Sequence, residues 1–259
     1  MLKFFRRIRH SLIGKGSTSK YMKYAIGEIL LVVIGILIAL QVNEWNQKRL
    51  DRIEEKVILT NLKEDFQKAI EEFVFLNSLR NDIISAATKI TSIEVSNLDE
   101  YSSEYIDSLF SKTLYGPTFN NKSGSLEVLL TSGKINLIRN QELRKTLVEW
   151  PGDVEDMIED EFNQDQIYRG PYQDFLHRYI SWNDLVKPYY TNQIRFEDIT
   201  LEAMPENAQI VSDYNTVLRS MYFLNLLHSR ASLCMISNQE TNVLIDKAKG
   251  IIQMINNEL

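Results

Sequence analysis

The chain has 259 residues, 30.2 kDa, with 44% hydrophobic and 25% charged residues, a composition that excludes collagen, low-complexity disorder and a polytopic membrane protein. A single cysteine, Cys234, excludes an internal disulfide framework and a cysteine-built zinc site, and a net charge of -6 argues against nucleic acid as a partner. Ten glycines and five prolines are few, which favours long helices over many short strands.

The charge is unevenly placed. Residues 1–23 hold Lys3, Arg6, Arg7, Arg9, Lys15, Lys20 and Lys23 and no acid, giving +7. Phe5, Ile8 and Leu12 recur there at helical spacing, so this tail reads either as a basic amphipathic helix on an anionic inner leaflet or as a frayed end that only sets topology. Gly14 to Ser19 reads as a joint. Tyr24 to Val42 (YAIGEILLVVIGILIALQV) follows, with one charge, Glu28. Its length corresponds to about 28 Å of helix, close to the roughly 30 Å hydrocarbon core of a bilayer. The long leader before it and the lack of a small-x-small site after it favour an uncleaved anchor over a signal peptide. Residues 43–259 carry 22 basic and 34 acidic side chains, giving -12. The positive-inside rule then leaves residues 1–23 in the cytoplasm, residues 24–42 in the inner membrane and residues 43–259 outside, in the periplasm.

Within the span, Gly35 and Ala39 form a small-xxx-small pair on the same side of the helix as Glu28. Glu28, Gly35 and Ala39 are therefore the expected face for association with a second copy or a partner span, because small residues let helix backbones approach closely in lipid. The competing reading has Glu28 reaching the cytoplasmic headgroups and Lys23.

The external part reads as all-α. From Asn43 to about Val95 there is neither proline nor glycine. Leu59, Leu62, Phe66, Ala69, Phe73, Leu76, Ile83, Ala87 and Ile90 make an a/d seam with Arg80 as its polar interruption. Leu50, Ile53 and Val57 sit on a shifted phase, so the seam slips near residue 58. Residues 98–114 read as a helix with Tyr101, Tyr105 and Leu109 on one side, followed by a loop from Tyr115 to Ser125. Leu126 to Ser132 is a short helix with Gly133 at a left-handed C-cap, and Asn140 caps the next helix. Pro151 and Pro171 each end or kink a helix, and residues 183–207 read as an extended connection. From about Asp213 to Asn257 a second seam is expected through Val217, Met221, Leu224, His228, Ala231, Met235, Asn238, Asn242, Ile245 and Ile252. The expectation is an N-terminal transmembrane helix continuing into a helical hairpin or bundle, its long first and last helices packed antiparallel.

Lys20 to Asn46 (KYMKYAIGEILLVVIGILIALQVNEWN) resembles the YAIGEIxLVxxGIxIALQxNxWN-type signature of an uncharacterised single-span bacterial envelope family. Leu129 to Leu147 (LLTSGKINLIRNQELRKTL) is similar to that family's internal block. The resemblance implies a location and an architecture; it implies no reaction and carries over no catalytic residue.

Motifs for chemistry are sparse. Gly133-Lys134 lacks the P-loop spacing, Ser123-Gly124-Ser125 lacks a nucleophile elbow, and there is no HExxH. Asp174 and His177 give one loose Glu-x-x-His analogue where a di-iron bundle needs two. The seven acids from Asp153 to Asp165 lack an EF-hand pattern and read as a solvated face. Tyr168, Tyr172, Phe175, Tyr179 and Trp182 step by four and three, either as core or as a contact stripe for a glycan or peptide ring. No cofactor, metal or catalytic residue is assigned. The expected function is a scaffolding or interaction module anchored in the membrane, with the sensing or ligand-binding part of a signalling assembly as the alternative.

Overall fold

The computed structural model describes residues 18–120, 124–186 and 211–259; residues 1–17 of the basic tail, with most of its joint, and most of the 183–207 connection lie outside the described residues. The chain divides into two compact units, Met1–Val57 and Ile58–Leu259. Helix α1 (Thr18–Thr91) is continuous and contributes to both. No strand occurs among the described residues.

In the first unit α1 carries the candidate span. Among the described residues it is the one helix long and apolar enough to cross a membrane, and its most apolar window is wholly unburied. That lack of burial distinguishes it from the core helix of a soluble domain, whose apolar stripe faces other elements.

The second unit is a helical bundle built on the rest of α1. A 3-10 turn (Val95–Glu100) leads into α2 (Ser103–Thr113), which Ser102 caps by accepting the Tyr105 N–H. Then come α3 (Gly124–Thr131), a 3-10 turn (Lys134–Leu137), α4 (Gln141–Ile167), a π turn (Tyr168–Tyr172) and α5 (Gln173–Tyr179). A helical turn at 182–186, α6 (Tyr214–Arg219) and α7 (Met221–Glu258) complete it. Gly133 has φ 70°, the left-handed cap expected of it, and the Asn140 side chain accepts the Leu143 N–H at 3.0 Å.

The long helices pack as expected. Leu59, Leu62 and Phe66 share one core cluster with Ala248, Ile251 and Ile255, while Ala87 and Ile90 share another with Phe223 and Leu227. Rising numbers on α1 meet falling numbers on α7, so within this unit the two run antiparallel.

Four expectations need correction. The α7 seam is one position out of phase: its main buried line is Phe223, Leu227, Arg230, Cys234, Ser237, Thr241, Leu244, Ala248, Ile251 and Ile255, in unbroken steps of four and three, and of the expected series Val217 and Ile245 are buried as well. Met221 and Met235 are exposed, and His228 lies on the solvent side. Apolar residues marked the wrong line because three members of the true one are polar. On α2 the buried face is Ile106, Leu109, Phe110 and Thr113, and Tyr101 and Tyr105 stack on each other at the surface. Pro151 does not end α4, which runs through it. Burial of Leu147, Trp150, Val154 and Met157 around it outweighs the one ladder bond the proline removes, a loss of about 3 kcal/mol in an isolated helix. At Pro171 the chain does kink: the π turn holds Gly170 at φ -85°, ψ -107°. Finally, the residues that follow 182 begin with a helical turn rather than extended chain.

Candidate functional site

The polar interruption at Arg80 is the centre of the bundle's most unusual feature. Arg80 is 0% exposed. Its Nη1 donates to Thr241 Oγ1 at 2.7 Å and to Asn77 Oδ1 at 3.1 Å, and its Nη2 donates to Glu161 Oε1. The other oxygen of Glu161 accepts the Phe119 N–H at 2.8 Å, which ties the loop after α2 to α4. Thr241 in turn donates to the Ser237 carbonyl at 2.6 Å, and Gln164 donates to the Ser237 hydroxyl. The layer therefore joins α1, α4, α7 and the loop through one guanidinium. Burial pulls Arg80 below its ordinary value and pushes Glu161 above the usual carboxylate range. Their mutual attraction, and for Glu161 the Phe119 N–H, work against both shifts. A buried pair of this kind adds little net stability but is costly to break and selects one register of the helices.

At the layer's edge Asn77 donates to Asn242 at 3.0 Å and Asn238 to Asn81 at 2.9 Å. The Glu240 carboxyl there titrates at about 7, raised by burial first and then by its hydrogen bond with, and repulsion from, Asp160. One proton shared between two carboxyls is the arrangement that removes this repulsion.

A second buried cation serves the other end of the bundle. Arg230 Nε donates to the Thr113 carbonyl at 2.7 Å and Nη2 to the Tyr115 carbonyl, so it closes the C-terminus of α2, where orphan carbonyls need donors. Its guanidinium lies 4.1 Å from the centre of the Tyr168 ring. The Tyr168 hydroxyl donates to the Leu114 carbonyl at 2.5 Å. Thr113 donates to Phe110, so the Tyr172 hydroxyl, 2.5 Å away, donates to Thr113.

The residues singled out in the sequence are dispersed. Tyr168 and Tyr172 are buried, and Phe175, Tyr179 and Trp182 pack partly buried against the same cluster. The aromatic series thus lines a core rather than an open surface. Of the seven acids, Glu161 is the buried partner of Arg80, Asp165 pairs with Arg169 at 2.6 Å, and Asp153 accepts from Lys247. Asp174 and His177 are exposed, and the His177 ring packs on Trp182. Among the described residues no group of three His, Cys, Asp or Glu side chains is placed to hold a metal ion. Cys234 is buried, which pushes its thiol up and away from nucleophilic character. Gly35 and Ala39 are exposed, and Glu28 is half-buried. Arg80 was visible in the sequence as a break in an apolar seam; Arg230, Ser237 and Thr241 were not, because nothing local distinguishes a buried polar residue from a surface one.

No curated protein and no solved structure matches the chain. The matched region of the chain begins inside the candidate span, includes Arg80 and α2, and ends in α4 before Glu161 and α7: over residues 28–153 the chain is similar to a family of unknown function, DUF6090.

Proposed function

We propose that the protein is a membrane-anchored scaffolding or interaction module of the bacterial envelope, without a reaction or cofactor of its own. Residues 1–23 are cytoplasmic, residues 24–42 cross the inner membrane, and residues 43–259 present a helical domain to the periplasm. The observation that carries the reading is the contrast within one helix: the apolar side chains from Ile29 to Val42 are all about half exposed or more, while the seam from Leu59 to Ile90 faces a core. Exposed apolar surface on that scale needs lipid or protein around it. The charge of +7 before the span and -12 after it supports the orientation. Within the bundle the buried arginines end on glutamate, threonine, asparagine and backbone carbonyls of the same chain, which supports a structural role for them.

A reporter enzyme active only outside the cytoplasm, fused after Leu259, is expected to be active; activity only when it is fused before Leu2 reverses the orientation. Association of the span through Glu28, Gly35 and Ala39 is read by a transmembrane association assay on residues 20–46. Loss of signal with Gly35→Ile and Ala39→Ile supports that face, and a wild-type signal at the level of a non-associating span removes it. The sensing alternative draws on the Glu240 and Asp160 carboxyls, which share a hydrogen bond at the edge of the polar layer, where burial and that contact push Glu240 up to about 7. A bundle whose neighbours in native-membrane crosslinking change between pH 6 and pH 8 would favour it.

A further inference from the structure

Beyond the span, α1 carries an apolar stripe that its own unit leaves open. Leu50, Ile53 and Val57 are 46%, 53% and 57% exposed. At 100° per residue they fall within about 60° of one another, and Asn43 and Asn46 extend the same line toward the membrane. The order Asn43, Asn46, Leu50, Ile53, Val57 is a heptad series with a positions at 43, 50 and 57 and d positions at 46 and 53. Glu55, on the other side of the helix, is buried. The intrahelical bonds Lys48 to Glu44, Gln47 to Asp51 and Arg52 to Glu55 lie off this line.

We infer that residues 43–57 of α1 form a parallel two-stranded coiled coil with a second copy of this chain. The flanking charges identify the occupant. Arg49 is a g position and Glu54 the e position of the next heptad, so two in-register parallel copies set each Arg49 against the other copy's Glu54, twice by symmetry. The neighbouring g–e pairs are Val42 with Gln47 and Lys56 with Asn61, and no like-charge pair arises. Asn43 at an a position is the residue type that fixes register and two-strand order at some cost in stability. Direction follows from the anchor, and here the inference rests on the membrane reading above: copies in one bilayer leave it with their helices parallel. Tethering also raises the effective concentration of one short seam for its twin. This seam lies outside the bilayer and is distinct from the Gly35–Ala39 face.

The test uses the full chain in native membranes with Ile53→Cys or Lys48→Cys, oxidised by copper–phenanthroline and resolved without reductant. Lys48 is exposed and about 140° round the helix from Ile53. Native Cys234 is buried, so the contrast is run with it in place and again with Cys234→Ala. Ile53→Cys is expected to give at least fivefold more covalent dimer than Lys48→Cys. Arg49→Glu is expected to lower the Ile53→Cys dimer several-fold, and Arg49→Glu with Glu54→Arg to restore it. Equal dimer at the two positions, or none at either, overturns the inference. Alkaline carbonate separates it from the membrane reading: a chain that stays in the pellet without crosslinking loses the coiled coil alone. A chain extracted by carbonate loses the anchor, and it keeps the dimer only if the fivefold contrast persists.

Discussion

The two apolar stripes of α1 have the same spacing and different surroundings. From Leu59 to Ile90 every third or fourth residue but Arg80 is apolar, and these side chains are almost wholly buried except the partly buried Ala69. Leu50, Ile53 and Val57 follow the same rule a turn earlier and stand open. Helical geometry explains the difference: Leu59 and Phe66 lie about 160–180° round the helix from Leu50, so one layer of neighbours cannot cover both stripes. The slip in phase near residue 58 therefore marks where α1 changes which side it offers and what it offers it to. A heptad pattern identifies a helix and a face, while the burial of that face depends on which elements the chain returns to it.

Substitution by aspartate sharpens this contrast most. Leu62→Asp places a charge in a fully packed cluster and is expected to destabilise the bundle by about 5 kcal/mol. Ile245→Asp acts in the same direction. Leu50→Asp is expected to leave the melting temperature of the bundle unchanged, within about 0.5 kcal/mol, while removing the crosslink at Ile53. Melting of the detergent-solubilised chain by circular dichroism measures both, and equal losses at Leu62 and Leu50 would erase the distinction between the stripes.

The next largest effect falls on the polar interruption of the buried stripe. Arg80→Met removes one partner and leaves Glu161 charged in the core, which is expected to cost about 3 kcal/mol by denaturant titration. Arg80→Met with Glu161→Leu is expected to recover most of that loss, because it removes the stranded charge as well. If the double variant is as unstable as the single, the layer contributes more than a compensated pair.

The smallest effect is a pH dependence. Glu240 holds its proton up to about 7 in the folded chain against an ordinary 4.5, so between these values the folded state binds more protons than the unfolded. Stability from this group is complete below about 4.5 and falls as pH rises through 7. After allowance for solvent screening the fall is about 1 kcal/mol. Glu240→Gln cannot ionise and is expected to flatten the profile, becoming the more stable form above pH 7. Parallel wild-type and variant profiles from pH 4.5 to 8 would assign the fall to other groups.

Local chemistry made much of the fold legible. The α1 seam, the Asn140 cap and the positive φ of Gly133 each follow from a residue type at a stated spacing, and each is found in the structure. The kink beside Pro171 follows from a missing N–H, whereas at Pro151 the helix does not end, because packing on both sides holds it together. The candidate site was far less legible. Arg80 stood out only because its neighbours in the pattern are apolar. Arg230, Ser237 and Thr241 stood in a segment where polar residues are common, and Glu161 stood among six other acids.

The sequence by itself determined the elements whose physics is local: a long apolar helix with a basic flank, the seam that follows it and the caps that end the shorter helices. Tertiary structure alone decided which line of α7 is inside. An arginine, a serine and a threonine can occupy a buried seam only when their hydrogen bonds are met, and the groups that meet them come largely from elsewhere in the chain. Glu161 reaches Arg80 across 81 positions and Thr241 across 161, while Arg230 reaches Thr113 across 117. A residue pattern read within a few turns of helix contains no trace of such partners, because the free energy that buries these groups arises only when the distant segments meet.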